Sequence, residues 1–251
     1  MLNLRIIFFF LGILITTLGI SMLIPFLFEV YNSANNIKTF ISCSFFTLFI
    51  GISIVIAFRT KEKKINIKDT IVITTLSWPV LVLFASLPFF YGTELKDFSE
   101  AFFEATSGLT TTGATVLSDL INQPRPILLW RSLMQWIGGL GILSLGLILL
   151  PFLRVGGMQL FRMESSDRAE KPLPRLIEIS KSIILIYLVL SGLCAFSYIA
   201  VGVGPFDSIA HAMTTVATGG FSTHDESIGF YQSSKVLWVS IIFMIFGGLP
   251  F

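Results

Sequence analysis

Charge is scarce in this sequence: only 13% of its 251 residues are charged, where a soluble domain averages about 25%. There are only two cysteines, Cys43 and Cys194, and both lie within apolar runs. This leaves neither a disulfide framework nor a metal-binding spacing. The net charge is +2, so a nucleic-acid partner is not expected. These scarcities argue against a soluble domain, a disulfide scaffold and a polyanion binder.

Apolar residues are correspondingly abundant. They make up 54% of the chain, including 25 phenylalanines, and the mean hydropathy is +0.84. Six apolar stretches have spanning or near-spanning length; they are residues 6–28, 39–58, 71–91, 127–151, 182–203 and 236–251. The first is too long and too aromatic for a signal peptide, and no small-residue cleavage site follows it. The sequence therefore predicts an all-α integral membrane protein that keeps its first helix.

The distribution of charge predicts the orientation. Basic residues dominate residues 59–68 and the connector after Pro151, whereas residues 94–104 hold four acids and one lysine. By the positive-inside rule the two basic connectors are cytoplasmic, together with the N-terminus that carries Arg5. We therefore expect a multi-pass inner-membrane protein whose remaining polar loops face the periplasm.

One polar stretch lies between apolar runs where lipid would leave its backbone unsatisfied. It reads Thr110-Thr111-Thr112-Gly113-Ala114-Thr115. Threonines ending in glycine can turn successive carbonyls toward one axis and replace the water shell of a cation, since glycine supplies the backbone angles this needs. An ordinary external turn is the alternative.

The polar stretch recurs, which favours the ion-path interpretation. The second copy reads Ala217-Thr218-Gly219-Gly220-Phe221-Ser222-Thr223. Placing Gly113 over Gly220 also places Thr111 over Thr218, and with a shift of two residues it places residues 138–140 over 247–249. The unit reads as helix, short helix, polar loop, helix, which is typical of a cation-channel pore.

A short helix is predicted before each polar loop, at residues 98–109 and 206–217. Twelve residues give about 18 Å, enough to reach mid-bilayer but not to cross it. The negative end of each helix dipole would favour a cation at the loop. Glu100 and Glu104 share one face of the first helix, either gathering cations at the mouth or simply solvated, and His211 takes the place of Glu104 in the second.

The helix after the first loop carries an arginine and several glycines. We expect Arg131 to anchor to an interface or to a loop carboxylate rather than to gate the pore. Gly138, Gly139 and Gly141 are expected to present a surface suited to close packing against another helix.

The repeats divide the chain into three units. Residues 1–62 are predicted to form an N-terminal transmembrane hairpin. Residues 63–176 form the first helix–pore–helix repeat with its cytoplasmic connector, and residues 177–251 form the second. The last apolar run, 236–251, spans about 24 Å against a hydrocarbon core of about 30 Å, so we expect truncation within the last helix.

Two longer motifs resemble the TrkH family, the membrane subunits of bacterial Trk potassium uptake systems within the Trk/Ktr/HKT superfamily. The first joins Ser107-Gly108-Leu109 and the threonine stretch to Trp130-Arg131-Ser132 and Gln135-Trp136-Ile137-Gly138-Gly139-Leu140-Gly141-Ile142. The second reads Gly219-Gly220-Phe221-Ser222-Thr223-His224-Asp225. The similarity extends over the whole chain, including the N-terminal hairpin.

The resemblance implies four helix–pore–helix repeats around one pore, of which this chain holds two. It implies potassium transport across the inner membrane rather than enzyme activity, with the ion held by backbone carbonyls of the filter residues Thr111, Thr112, Gly113, Thr218, Gly219 and Gly220. No cofactor is expected on this chain, since the nucleotide site of the family lies on TrkA, a cytosolic ring that partners the membrane subunit.

Several interpretations stay open at this stage. The missing third and fourth repeats come from a separate chain, or a second copy of this chain supplies them, or the chain is a truncated or degenerate protein that binds other transporter subunits without conducting. An intramembrane hydrolase is a weak fourth possibility, because pairs such as Ser222 and His224 lie in an outward loop without an oxyanion site.

Overall fold

Helices form the regular structure of residues 2–31, 37–60, 66–149 and 172–249, the part of the chain that the computed structural model describes. They are α1 (Leu4–Ser21), α2 (Leu23–Tyr31), α3 (Ile37–Ala57), α4 (Ile67–Ala85), α5 (Leu87–Gly92), α6 (Phe98–Leu109), α7 (Arg125–Leu149), α8 (Pro172–Ala200), α9 (Pro205–Val216) and α10 (Ser234–Gly248). Two 3-10 turns, Leu120–Asn122 and Ser227–Tyr231, precede α7 and α10. The all-helical class expected from the sequence is confirmed.

Four helical stretches within the described residues are long and apolar enough to cross a membrane: Leu4–Phe28, Lys38–Ala57, Lys68–Gly92 and Ser180–Ala200. Large apolar side chains on these stretches lie on the outside, among them Phe45 at 73% and Phe196 at 70% exposure. Outward apolar side chains on nearly uncharged helices suit a lipid environment, since lipid is as apolar as the protein interior.

The first apolar run was predicted as one helix with a kink at Pro25, and the structure divides it into two helices. α1 ends at Ser21 and α2 starts at Leu23. Pro25 causes the break, because it has no N–H to donate to the carbonyl of Ser21 and its ring would clash with that carbonyl.

A second break divides the run predicted as residues 71–91. α4 continues through Pro79 but ends at Ala85, and α5 begins at Leu87 with Pro88 in its first turn. The indole Nε1 of Trp130 donates to the carbonyl of Ala85 (3.1 Å). A neighbouring helix thus satisfies a carbonyl at the break, which is how broken helices persist in membranes.

The helices form two packed groups that meet at α7. In the first, α1 packs against α3 and α4, and α6 packs against α4 and α7. In the second, α9 packs against α8 and α10 and also against α7. Trp136 of α7 contacts both buried clusters. Both short helices, α6 and α9, therefore pack against α7.

The order of elements repeats along the chain. A long helix, a short helix, a loop and a second long helix occur as α4 with α5, α6 and α7, and again as α8, α9 and α10. The short helices were predicted at residues 98–109 and 206–217; α6 covers Phe98–Leu109 and α9 covers Pro205–Val216. The middle of the first basic connector (residues 61–65), most of the second (residues 150–171) and one predicted unit boundary lie outside the described residues.

Candidate functional site

The first loop begins with a tight cap on α6. The N–H of Thr112 donates to the carbonyl of Ser107 (2.9 Å), and the N–H of Thr111 donates to the carbonyl of Gly108 (3.0 Å). This pair of bonds is the Schellman motif, which ends a helix with one residue in the left-handed conformation. Thr111 occupies that position, where glycine is the usual residue.

The second loop begins in the same way. The N–H of Gly219 donates to the carbonyl of Thr214 (2.9 Å), and the N–H of Thr218 donates to the carbonyl of Thr215 (3.0 Å). In the alignment of the two repeats, these two hydrogen bonds join the same positions as the two bonds that end α6. The two loops therefore share a backbone path as well as a sequence pattern.

Left-handed backbone angles recur at matching positions in the loops. Thr111 has φ 55° and Gly113 has φ 83°, while Thr218 has φ 53° and Gly220 has φ 81°. The residue between the two members of each pair has no positive φ. A β-branched residue at positive φ is a genuine outlier, and such outliers concentrate at binding and switching sites.

The two loops lie against each other. A side chain at Gly113 would collide with the carbonyl oxygen of Gly219. In the C-terminal part of the second loop, the carboxylate of Asp225 accepts a hydrogen bond from the N–H of Leu120 (3.0 Å). Glycine at residue 113 is thus required twice, for its backbone angle and for the close approach of the second loop.

A buried ion pair supports the first loop. Nε of Arg131, on α7, donates to Oε1 of Glu104, on α6, at 2.8 Å, and both side chains are almost fully buried. The hydroxyl of Thr115 donates to Glu104 (2.9 Å) and accepts from Nη2 of Arg131 (3.0 Å). The N–H of Val116 donates to the other carboxylate oxygen (3.1 Å). The C-terminal part of the first loop is therefore hydrogen-bonded to a buried charge pair.

These contacts correct two expectations. Glu104 neither gathers cations at a mouth nor lies in solvent; it is fully buried, and its charge is matched by Arg131. Arg131 does bind a carboxylate, but one on the short helix rather than in a loop. A sequence pattern cannot show this pairing, since the two residues are distant in sequence and each is plausible at a membrane surface.

Arg131 also reaches the second loop. Its Nη1 donates to the carbonyl of Ser222 (2.8 Å), and its guanidinium carbon lies 4.2 Å from the ring centroid of Phe221. A guanidinium at this distance is attracted to the negative face of the ring. One side chain of α7 thus holds parts of both loops.

Gln135, one turn further along α7, lies directly behind the second loop. Its Nε2 donates to the carbonyl of Gly219 (2.9 Å), and its Oε1 accepts from the N–H of Phe221 (3.0 Å). The side chain is completely buried. The sequence analysis quoted Gln135 within a motif without giving it a role, because nothing in the sequence shows which backbone groups it meets.

A histidine and a serine replace the glutamate and the threonine in the second repeat. Nε2 of His211 and Oγ of Ser222 are hydrogen-bonded (3.0 Å), in the register of Glu104 and Thr115. The other ring nitrogen of His211 is hydrogen-bonded to the carbonyl of Asp207 (2.8 Å). The contact between Ser222 and His211 matches the contact between Thr115 and Glu104 in the first repeat. The first-repeat contact contains no histidine and supports a loop, so the serine–histidine contact needs no hydrolytic role to explain it.

His224 lies at the C-terminal end of the second loop in an aromatic cluster. Its ring stacks on Phe230 with a centroid separation of 3.7 Å, and its Nε2 lies 3.5 Å from a carboxylate oxygen of Asp207. Tyr231 lies edge-on to both His211 and His224. Burial, with a contribution from Asp207, raises the pKa of the Tyr231 hydroxyl. Within the described residues, no group of three or more His, Cys, Asp or Glu side chains is placed to hold a metal ion.

The helices after the loops also repeat in detail. A side chain at Gly138 of α7 would collide with the carbonyl of Leu109, the last residue of α6. A side chain at Gly247 of α10 would collide with the carbonyl of Val216, the last residue of α9. These matching contacts follow the two-residue shift between the repeats that the sequence had suggested.

The glycines of α7 thus allow the close packing that the sequence predicted, and for Gly138 and Gly139 the packing partners are elements of this chain. Gly138 packs on the carbonyl of Leu109, while a side chain at Gly139 would contact Ala217 and Tyr187 at about 3 Å. Only Gly141 of the three has open space beside it.

The six predicted filter residues are brought together, but they are not equally accessible. Thr112, Thr218 and Gly220 are exposed, and Thr111 and Gly113 are half-buried. Gly219 is buried, and its carbonyl accepts from Gln135. A carbonyl has two lone pairs, so this hydrogen bond occupies one of two acceptor positions on Gly219.

Comparison with known proteins places these features in a family. A family model described as "TrkH: Cation transport protein" matches residues 36–251. The potassium uptake protein TrkI of Halomonas elongata is 45% identical over 181 residues, covering 72% of this chain and 37% of that protein. The potassium uptake protein TrkH of Escherichia coli K12 is 37% identical over 240 residues, covering 94% of this chain and 50% of that protein.

A solved structure is similar as well. The crystal structure of the potassium transporter TrkH from Vibrio parahaemolyticus superimposes with a TM-score of 0.87 at 34% identity, covering 98% of this chain and 50% of that one. The chain thus spans about half the length, or less, of the curated relatives it matches. By the match of the family model to most of its length, the chain belongs to the TrkH family of cation transport proteins.

Proposed function

We propose that this chain supplies two of the loops that line a potassium path across the inner membrane. The observation that carries the proposal is the paired left-handed geometry at Thr111 with Gly113 and at Thr218 with Gly220. Alternating left-handed and ordinary angles turn successive carbonyls to one side, and rings of carbonyls are the groups that replace the hydration shell of potassium. The names of the relatives, which are potassium uptake proteins, support the choice of ion.

In this proposal the ion meets backbone oxygens of two segments. The carbonyls of Thr111, Thr112 and Gly113 face it from the first loop, and those of Thr218, Gly219 and Gly220 from the second. Gly219 contributes through the lone pair that Gln135 leaves free. The carboxyl ends of α6 and α9 lie directly before the loops, where the negative ends of their dipoles favour a cation.

Two loops do not surround an ion, so the proposal requires further loops. The chain spans about half of its relatives, and the proposal takes the further loops from a third and a fourth repeat, with a second copy of this chain as the alternative source. The family resemblance adds a TrkA-type nucleotide-binding ring on the cytosolic side. The basic connectors support an orientation with the N-terminus in the cytoplasm and the loops facing the periplasm.

The test measures uptake of potassium in cells that lack their own uptake systems, with this chain expressed alone and together with a chain that carries the missing repeats. We expect uptake only in the combined cells, and we expect Gly113→Asp or Gly220→Asp to abolish it while membrane insertion persists. A side chain at either position is strained by the positive φ, and a carboxylate would block the carbonyl path.

Gly229→Asp is the matched control, because a side chain there meets open space and φ is not positive; uptake should be unchanged. Full uptake with either loop variant would refute the proposed ion path. Uptake by this chain alone would favour the second copy as partner, and no uptake despite co-purification of the two chains would favour a non-conducting protein that binds transporter subunits.

A further inference from the structure

We propose that Gln135 is a positioning residue that fixes the second loop and, given the proposed function, sets the preference of that loop for potassium over sodium. The two peptide groups on either side of Gly220 both bind Gln135. Gln135 accepts a hydrogen bond from the N–H of Phe221 and donates one to the carbonyl of Gly219, at 3.0 and 2.9 Å. The two bonds together hold the orientation of the carbonyl that precedes Gly220.

The amide of Gln135 has no freedom to make these bonds differently. Its side chain is completely buried, and a buried donor or acceptor left without a partner is costly. Oε1 can only accept and Nε2 can only donate, so a flipped amide would lose both bonds. The second loop is therefore pinned by a rigid group.

A difference between the two loops supports this role. In the alignment of the two repeats, Gly219 of the second loop corresponds to Thr112 of the first. The first loop therefore has a side chain at a position where the second has none. Gly219 does not need its glycine for the backbone angle, since its φ is not positive. A side chain at Gly219 would instead collide with the amide of Gln135. The glycine at residue 219 is thus explained by the presence of Gln135.

Arg131 holds the same segment one turn away. It donates to the carbonyl of Ser222 (2.8 Å) and lies over the ring of Phe221 (4.2 Å). The matching positions of α10 hold Ser240 and Met244, and the side chain of Met244 is 44% exposed. The pair formed by Arg131 and Gln135 thus has no equivalent on α10. The second loop is held by side chains of α7, the long helix of the preceding repeat.

Ion preference follows from this rigidity. Discrimination between potassium and sodium depends on the size of the carbonyl cage and on the number and field of its dipoles. Without Gln135 the peptide between Gly219 and Gly220 is free to reorient around a smaller ion. We therefore expect the loss of Gln135 to reduce the ratio of potassium to sodium uptake more than it reduces total uptake.

The experiment is a double-mutant cycle of Gln135→Ala, Gly219→Ala and the double variant, made in this chain in lipid nanodiscs together with the chain that supplies the missing repeats. Hydrogen exchange is measured on a peptide that contains Phe221. Loss of two buried hydrogen bonds should speed exchange roughly tenfold in Gln135→Ala. Gly219→Ala should speed it similarly by displacing the amide, yet add nothing when Gln135 is already absent.

Gln123→Ala is the control, because Gln123 lies just before α7 and its side-chain amide donates to the carbonyl of Ser118 rather than to the second loop; exchange at Phe221 should be unchanged. The same variants are tested for the ratio of potassium to sodium uptake, which should fall several-fold in Gln135→Ala. A purely structural role would lower both rates and keep their ratio.

Three results would overturn the inference: unchanged exchange in Gln135→Ala, an equal effect of Gly219→Ala with and without Gln135, or faster exchange with an unchanged uptake ratio. The exchange measurement does not depend on transport. If it shows the expected coupling while the parent protein moves no potassium in any assembly, the proposed function fails and the positioning role of Gln135 is supported.

Discussion

Thr111 and Thr218 hold backbone angles that β-branched residues almost never adopt. The left-handed conformation costs a non-glycine residue about 1–2 kcal/mol. Glycine removes this cost, but it loses more conformational entropy on folding, which offsets part of the stabilisation. We expect Thr111→Gly and Thr218→Gly each to stabilise the protein by about 0.5–1 kcal/mol and to reduce potassium uptake. Thermal unfolding in detergent, with uptake measured in parallel, checks both effects.

Thr110→Gly is the matched control for this prediction. Thr110 is the C-cap of α6 with φ −84°, an ordinary angle, so glycine there should give no stabilisation. If all three variants behave alike, the strain at Thr111 and Thr218 has no energetic role.

The buried pair of Glu104 and Arg131 gives a second prediction. Removing one partner leaves an uncompensated buried charge, so we expect Arg131→Met to destabilise the protein by about 3–5 kcal/mol. Adding Glu104→Gln to Arg131→Met should recover part of that loss. Unfolding midpoints of the single and double variants measure the coupling.

Arg59→Met removes an exposed arginine and should shift stability by less than about 0.5 kcal/mol. Strictly additive effects of the Glu104 and Arg131 substitutions would show that the two charges do not interact in the folded protein.

The sequence predicts the loops but not what holds them. Thr111 and Gly113 could be found because their types are unusual between apolar runs and because both recur at Thr218 and Gly220. Arg131 and the carbonyl of Ser222 are 91 residues apart, and no local pattern links a side chain to a particular carbonyl. The supports of the loops depend on helix packing, which the sequence pattern does not encode.

For the helices, the sequence predicts how many there are and of what kind better than it predicts where a helix is interrupted. The positions of α6 and α9 followed from short apolar segments with polar ends. Pro25 was expected to kink the first helix, whereas the break at Ser86 was missed. At the second break the indole of Trp130 binds the carbonyl of Ala85, a contact that the local sequence does not show. Pro79 lies inside α4 without ending it, so a proline alone does not locate a break.

The contact of α7 with the end of α6 gives a prediction at this scale. Gly138→Ala forces a methyl group against the carbonyl of Leu109, and we expect it to destabilise the protein by about 1–3 kcal/mol. Gly141→Ala, on the same helix, meets open space and should be neutral or stabilising by up to about 1 kcal/mol. Unfolding in detergent should separate the two; equal effects would mean that helix propensity alone accounts for these glycines.

For the whole molecule, the orientation in the membrane is the prediction to test. Single cysteines replacing Thr93 or Glu226 should react with membrane-impermeant reagents in intact cells. A cysteine replacing Arg59, which is exposed, should react only with permeant reagents, because positive residues are retained in the cytoplasm. The measurement is made in a background where Cys43 and Cys194, both buried, are replaced by alanine. The reverse labelling pattern would invert the proposed topology.

The reach of α7 across to the second loop means that the repeat in the sequence is not the unit that folds. The segment that repeats in the sequence ends with α7, yet the groups that shape the second loop come from α7 and α9 together. The sequence repeat and the folding unit are therefore offset by half a repeat. A chain divided between α7 and α8 would accordingly part the second loop from Arg131 and Gln135, the side chains that hold it.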